Sequence, residues 1–159
     1  MTEITPTGCC PPFDPTTRDD QIIEWHNKLF IKDKVFCILN MPANFGKVMT
    51  RIMSKANKHG ATVPDAMCLS DHASAWKMNV FVAVDKKIPD LKTVKITGKF
   101  YYRVYEGDFR KTGEWISDFK KTSSEKHFST GKMYMWYTTC PKCAKTYGKN
   151  YVVILSKIK

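Results

Sequence analysis

The sequence predicts an α+β fold in which a strand–helix–strand–strand (βαββ) unit occurs twice. The two copies are expected to form one antiparallel sheet with both helices on one face. One observation is the order of the apolar patterns, which runs strand, helix, strand, strand and then repeats. The other is a weak internal match at an offset of 64 residues, which pairs Phe36 with Phe100, Phe45 with Phe109 and Lys47 with Lys111.

The first copy is predicted over residues 34–89. It begins with the buried-strand run KVFCILNMP, which Pro42 ends. In ANFGKVMTRIMSKANKHGA the apolar residues have helical spacing, with Asn44 as the N-cap and Gly60 just beyond the last turn. The runs AMCLSDH and WKMNVFVAV follow as short strands, the second with clear alternation.

The second copy is predicted over residues 94–159. It begins with VKITGKFYYRVYEG, which is expected to form one or two strands. DFRKTGEWISDFKK is the second predicted helix, with Asp108 as the N-cap and Trp115 and Phe119 on its inner stripe. KMYMWYTT and NYVVILSKI are the last two strands, and a Cys-Pro-Lys-Cys stretch lies between them.

Residues 1–29 are predicted to be an irregular N-terminal arm with a short helix, ahead of a single domain over residues 30–159. Prolines in CCPPFDP exclude a helix interior. DDQIIEWHNKLF is predicted to begin the short helix, with Asp19 or Asp20 as the N-cap. Its apolar anchors would be Ile22, Ile23, Trp25 and Phe30.

The composition is that of a globular protein, with 159 residues of which 43% are apolar. No apolar run reaches the ~20 residues of a membrane span, and the start of the chain lacks the pattern of a secretory signal, so a cytoplasmic location is expected. The net charge of +11 indicates attraction to anionic partners. Because the lysines are scattered and no nucleic-acid-binding motif is present, nucleic acid is not expected, whereas an acidic protein partner stays open.

Several segments resemble the gyrase-inhibitor-like (GyrI-like) small-molecule-binding domains, which also form the effector-binding half of some multidrug-sensing transcription regulators. They are VFVAVDKKIP, GKFYYRVYEGDFRKTGEWISDF, MYMWYTTCPK and NYVVILSKI. The CCPPFDP arm together with YTTCPKCAK resembles a stand-alone branch of that superfamily. The resemblance implies an effector-binding-domain-like fold with an aromatic cleft between its two halves. It also implies a small organic ligand, aromatic or cationic, and a role in detoxification or sensing; some stand-alone relatives hydrolyse reactive molecules.

One stretch departs from the family pattern. The family's usual acid lies in a Glu-x-Tyr pattern followed by Asp-Pro, and the equivalent stretch here reads MWYTTCP. Met135 stands at the glutamate, Tyr137 matches the tyrosine, and Cys140 stands at the aspartate. The departure weighs against cation binding and against hydrolysis driven by a glutamate at that position.

Six residues are predicted to line the cleft, five of them aromatic and one acidic: Trp76, Tyr105, Glu106, Tyr134, Trp136 and Tyr137. Tyr134 and Trp136 share one face of their strand, because alternate residues of a strand point to opposite sides. Glu106 ends a strand before Gly107, and a carboxylate enclosed there by aromatic rings could act as a base toward water. The alternative is a solvated turn glutamate near a helix start.

The cysteines leave three interpretations open. Cys140 and Cys143 have the spacing of half a structural zinc site, which Cys9 or Cys10 and one of His26, His72 or His127 would complete. A reactive thiol is the second interpretation, since Lys142 and Lys145 would lower a thiol pKa. The third is a structural loop with no cofactor.

Three functions follow. The first is a cytosolic stand-alone protein that binds a small molecule in the aromatic cleft. The second is a hydrolase that uses the same cleft, with Glu106 as the base and with Tyr137 and Cys140 assisting. The third is a basic docking module for an acidic protein. A hydrolase consumes the bound molecule, whereas a binding protein leaves it unchanged. A docking module differs from both, because its binding to an acidic protein depends strongly on salt concentration.

Overall fold

The computed structural model describes residues 15–38, 41–42, 44–63, 67–72, 76–138 and 150–158. These residues form two compact units, which we call the α1 unit (Trp25–Thr97) and the α2 unit (Met1–Glu24 with Gly98–Lys159). In chain order the strands and helices are β1 Gln21–Ile38, β2 Met41–Pro42, α1 Phe45–Lys58, β3 Cys68–His72, β4 Lys77–Ala83, β5 Thr93–Glu106, α2 Thr112–Glu125, β6 Thr130–Tyr137 and β7 Tyr151–Ile158.

In the α1 unit the strands are antiparallel in the order β2-β1-β4-β3. Helix α1 lies where the sequence spacing predicts it, because Val48, Ile52 and Ala56 form one apolar stripe. This stripe packs against alternate residues of β1 and β4, among them Val35 and Met78, which face each other in the strand register. The core of this unit therefore lies between α1 and one face of its sheet.

In the α2 unit the strand order is β6-β7-β5, again antiparallel. Helix α2 buries Trp115 and Phe119 against a cluster that includes Tyr101 and Met135. Gly107 separates β5 from the turn that leads into α2, with a φ of +136° that a residue with a side chain rarely adopts. The face of the sheet that carries Tyr101 and Met135 is therefore the helix side.

The predicted fold class, one open antiparallel sheet with two helices on one face, is wrong, because the first strand is paired along both of its edges. Strand β1 pairs with β4 along one edge and with β5 along the other. Just ahead of β5, the Lys32 N–H donates to the Lys92 carbonyl at 2.9 Å. A first strand at the edge of an open sheet would leave one row of backbone groups unpaired, and β1 does not.

The short helix predicted within DDQIIEWHNKLF is also wrong, since Gln21–Ile38 is one strand of 18 residues. Ile31, Val35 and Cys37 alternate toward α1, which is the period of a strand. Asn27 has a φ of +49° and interrupts the alternation between Trp25 and Phe30. The hydrogen bonds that β1 forms with β4 and β5 therefore outweigh the helical spacing of the apolar residues at the start of this segment.

Within the described part of the chain, no helix is both long enough and apolar enough to cross a membrane. The expected cytoplasmic location stays a prediction, as does the predicted division into an arm and a single domain.

Candidate functional site

A cavity of about 310 Å³ opens in the α2 unit. Three segments form it: the turn that precedes β1, the end of β5 and the start of β7. Glu106 and Tyr151 face each other in the β5–β7 register, so both lie at the same end of the sheet. The described residues that line the cavity are Pro15, Thr16, Asp19, Val104, Glu106 and Tyr151.

The turn that forms one wall is tied down by its own backbone. Pro15 begins a 3₁₀ turn, and its carbonyl accepts hydrogen bonds from the N–H groups of Arg18 at 3.3 Å and Asp19 at 3.0 Å. The Asp19 carboxylate then accepts a hydrogen bond from the Val104 N–H at 3.0 Å. This bond joins residues 85 positions apart and fixes the turn against β5.

Asp19 is also held electrostatically. The Arg103 guanidinium places Nη1 3.6 Å from Asp19 Oδ1 and Nη2 3.6 Å from Asp118 Oδ2. One arginine therefore connects the cavity wall to helix α2. A carboxylate fixed by a backbone N–H and a guanidinium presents a defined negative charge to a ligand.

Tyr105 belongs to this network rather than to the cavity. Its hydroxyl donates to Asp118 Oδ2 at 2.7 Å, and its ring stacks on Trp115 with centroids 5.8 Å apart and planes 16° apart. Burial raises the pKa of Tyr105, and the hydrogen bond to Asp118 raises it further. The phenol therefore stays protonated and serves as a hydrogen-bond donor.

Glu106 is the predicted site residue that lines the cavity. It follows Tyr105 and points to the opposite face of β5, where it is exposed. Among the described residues its carboxylate forms no ion pair. The cavity therefore contains two acidic groups of different character, Asp19 with fixed partners and Glu106 open to solvent.

Tyr134 and Trp136 lie on the same face of the sheet as Val104 and Glu106, because Trp136 and Val104 both face Val153 in the strand register. Trp136 is 2% exposed, and the Arg18 guanidinium lies 4.9 Å from the centroid of its ring. Arg18 belongs to the same turn as the cavity wall. The turn therefore contributes both a cavity lining and a cation over a buried indole.

The remaining predicted residues lie elsewhere. Tyr137 lies on the helix side, where its hydroxyl points to the Met135 sulfur at 3.7 Å. Trp76 lies in the α1 unit, just before β4, with 51% of its surface exposed. The predicted set thus divides between two faces of one sheet and a second unit, and the cleft predicted between the two halves stays a prediction.

The predicted metal ligands Cys9, Cys10, Cys140 and Cys143 lie outside the described residues, so the zinc and reactive-thiol alternatives stay predictions. The described cysteines are free thiols. Burial raises the pKa of Cys68 to about 12, which favours the protonated thiol at neutral pH. Within the described ranges, no three His, Cys, Asp or Glu side chains come together as a metal site.

Sequence reasoning missed the turn of Pro15 to Asp19. It placed this turn in a separate arm and treated Asp19 as a helix N-cap. The stretch Pro-Thr-Thr-Arg-Asp-Asp has the composition of a turn, and this signal is visible in the sequence. The contact of this turn with Val104 could not be predicted from the sequence, because Val104 lies 85 residues further along the chain.

Comparison with known proteins places this chain in a family. A family model described as "Bacterial hydrolase" matches residues 1–158, so the chain belongs to that family. No curated protein matches the sequence.

Solved structures from Listeria innocua share the fold. One, a hydrolase, is 11% identical with a TM-score of 0.62, over 89% of this chain and 92% of that chain. An uncharacterized conserved protein is 12% identical with a TM-score of 0.63, over 89% of this chain and 93% of the other. A second hydrolase is 12% identical with a TM-score of 0.61, over 89% and 92%. At these identities the likeness concerns the fold alone, and the resemblance to GyrI-like domains stays a prediction.

Proposed function

We propose that this protein binds a small organic molecule in the cavity of the α2 unit and hydrolyses it, with Glu106 as the general base. The observation that carries the proposal is the position of Glu106, which lines a cavity of about 310 Å³ beside the fixed carboxylate of Asp19 and forms no ion pair with a described residue. Membership in a family described as bacterial hydrolases supports hydrolysis over binding alone. The volume suits a small ligand, since such pockets range over about 300–1,000 Å³.

The two carboxylates have different roles in the proposal. Asp19 accepts the Val104 N–H and lies near Arg103, so it is positioned to hold a polar or positively charged part of the ligand. Glu106 lacks such partners among the described residues and is available to accept a proton from water. Pro15 and Val104 add apolar contacts, and Thr16 and Tyr151 add hydroxyl groups to the lining.

In the proposed step, Glu106 removes a proton from a water molecule while the water oxygen forms a bond to an electrophilic carbon of the ligand. The bond from that carbon to its leaving group breaks, and the leaving group takes the electron pair. The proton on Glu106 then passes to the leaving group, directly or through solvent, and the carboxylate is restored.

This assignment keeps one of the three catalytic residues that the sequence predicts. Tyr137 is not used, because its hydroxyl points toward Met135 on the helix side of the sheet. Cys140 lies outside the described residues and has no role in the proposed step.

The test is Glu106→Gln, assayed by product formation on a panel of activated esters, lactones and epoxides. We expect turnover to fall by about 10²-fold or more, because that is the usual contribution of a general base. Binding should remain, since the glutamine keeps the size of the side chain. Glu114→Gln is the matched control, because Glu114 is also exposed but lies on α2 outside the cavity. Full turnover by Glu106→Gln on a substrate of the wild type would refute this role.

Binding without turnover is the second candidate function, and the stacking of Arg18 over Trp136 favours it. The protein's own guanidinium occupies the position that a flat or cationic ligand would take on the indole. A binder predicts saturable quenching of tryptophan fluorescence while the ligand stays chemically unchanged. Arg18→Ala should then strengthen binding of such a probe, whereas Lys28→Ala, which removes a comparable contact over Trp25, should not.

A further inference from the structure

A second concave surface lies on the outer side of helix α1. It has a volume of about 590 Å³, and the described residues that line it all belong to the α1 unit. Its lining contains three basic residues and two hydroxyl residues: Lys47, Thr50, Arg51, Ser54 and Lys55. Neither the fold nor the proposed hydrolytic site accounts for this surface.

The spacing of the residues along α1 brings the charges together. Lys47, Arg51 and Lys55 are four residues apart, so they form one row along the helix, with about 6 Å of rise between neighbours. Thr50 and Ser54 lie beside this row and supply hydroxyl donors. The helix sequence contains no acidic residue, so the row has no neutralising partner within α1.

The three basic side chains are not equally engaged. The Arg51 guanidinium forms an ion pair with Asp33 on β1, which holds it in place. Lys47 and Lys55 form no ion pair with any residue that the structure describes. The surface therefore combines one anchored guanidinium with two ammonium groups that are available to an anion.

The lining also decides the class of ligand. None of the five described side chains in the lining is aromatic or aliphatic, so the described part of this surface lacks the apolar anchor on which protein partners usually depend. Lysine, arginine and hydroxyl donors are the groups that bind phosphate oxygens. The volume exceeds that of a single phosphate and has room for several such groups.

We propose that the Lys47–Arg51–Lys55 row, with the hydroxyls of Thr50 and Ser54, is a binding site for a small molecule that carries several phosphate groups. The inference does not depend on the hydrolytic function, because it concerns the other unit of the molecule.

The experiment is isothermal titration calorimetry of the full chain at an ionic strength of about 0.15 M with sodium tripolyphosphate as the probe. We expect saturable binding to one site, weakened by about 10-fold or more in Lys47→Ala/Lys55→Ala, since two charge-assisted contacts are removed. Lys120→Ala/Lys121→Ala is the matched control, because it removes the same charge from exposed positions on α2. It should bind within about 2-fold of the wild type, since distant exposed charges are largely screened.

A third variant separates a built site from diffuse charge attraction. Thr50→Val/Ser54→Ala keeps every charge, so a loss of affinity in this variant reports contacts with the hydroxyl groups. The proposal would be overturned if Thr50→Val/Ser54→Ala bound tripolyphosphate as tightly as the wild type. It would also be overturned if Lys47→Ala/Lys55→Ala and Lys120→Ala/Lys121→Ala lost the same amount of affinity.

A single-stranded oligonucleotide is the second probe. It tests whether the site prefers a nucleic acid, because it presents phosphate groups along a polymer. Binding of the oligonucleotide without binding of tripolyphosphate would also overturn the proposal. Binding of tripolyphosphate that ATP displaces and that the Lys47→Ala/Lys55→Ala pair loses would support it. Circular dichroism on each variant verifies that α1 remains folded.

Discussion

Each unit packs one helix against antiparallel strands, but the two helices use their polar side chains in opposite ways. Helix α1 carries Lys47, Arg51 and Lys55 toward solvent and contains no acidic residue. Helix α2 directs Asp118 to the Tyr105 hydroxyl and near the Arg103 guanidinium, both on β5. The first helix presents a charged surface, and the second organises a network that reaches Asp19 in the cavity wall.

The difference shows which part of a helix the fold constrains. Both helices bury an apolar stripe, Ile52 and Ala56 in α1 and Trp115 and Phe119 in α2. The stripe is fixed because its contact with the sheet supplies the burial that stabilises each helix. The polar face has no such constraint, so it can become a basic surface in one unit and a network of contacts with a neighbouring strand in the other.

The largest expected change in the free energy of unfolding comes from substitutions in the buried apolar stripes of α1 and α2. Phe119→Ala should reduce the free energy of unfolding by roughly 3–5 kcal/mol, because it leaves a cavity in a fully buried position. Ile52→Ala, also fully buried, should reduce it by roughly 2–5 kcal/mol. Urea unfolding followed by circular dichroism measures both changes.

Met53→Ala is the control for the two stripe variants, because Met53 lies on α1 with 42% of its surface exposed. It should change the free energy of unfolding by no more than about 0.5 kcal/mol. A cost for Met53→Ala as large as that for Ile52→Ala would contradict the assignment of the stripe.

The next effect concerns the network specific to the α2 unit. Tyr105→Phe should reduce the free energy of unfolding by about 1–2 kcal/mol, because it removes the hydrogen bond to Asp118 but keeps the stacking on Trp115. A double-mutant cycle with Asp118→Asn should show that the two changes are not additive. Full additivity would mean that the phenol and the carboxylate do not interact.

The smallest effect concerns pH. The Tyr101 hydroxyl donates to Asp20 at 2.5 Å, and this bond, followed by the one from Lys126, lowers the pKa of Asp20. Because the folded-state pKa lies below the unfolded one, the carboxylate stabilises the fold above the unfolded pKa of about 3.9, and this stabilisation disappears as the pH falls through the folded value.

Asp20→Asn should therefore destabilise the protein at pH 7 by less than about 1 kcal/mol, since the side chain is half exposed. The difference from the wild type should shrink as the pH is lowered below about 4. Thermal unfolding at several pH values measures this difference. A difference that stays constant down to the lowest pH would contradict the role of the carboxylate charge.

Local patterns predicted the elements in which one face is buried against a helix. The stripe of Val48, Ile52 and Ala56 located α1, and that of Trp115 and Phe119 located α2. The same reasoning failed for Gln21–Ile38, where helical spacing at the start of the segment competed with pairing to β4 and β5. Pairing partners far away in the chain are not visible in a local window.

The candidate site was predictable only in part. Glu106 was identified from its position at a strand end before Gly107, and the structure places it in a cavity lining. Asp19 and Arg18 were not identified, because their importance comes from Val104 and Trp136, which are distant in the chain. Tyr105 was expected in the cleft, yet the alternation of β5 turns it toward Trp115.

The sequence by itself determined where α1 and α2 form and which of their residues are apolar, because periodicity and burial are encoded locally. It also determined the surplus of positive charge. Only the tertiary structure decided that β1 pairs along both of its edges and that the turn at Pro15 meets the end of β5. Both features depend on hydrogen bonds between residues far apart in the chain. Bringing such residues together has an entropic cost, which is offset only when the whole chain folds.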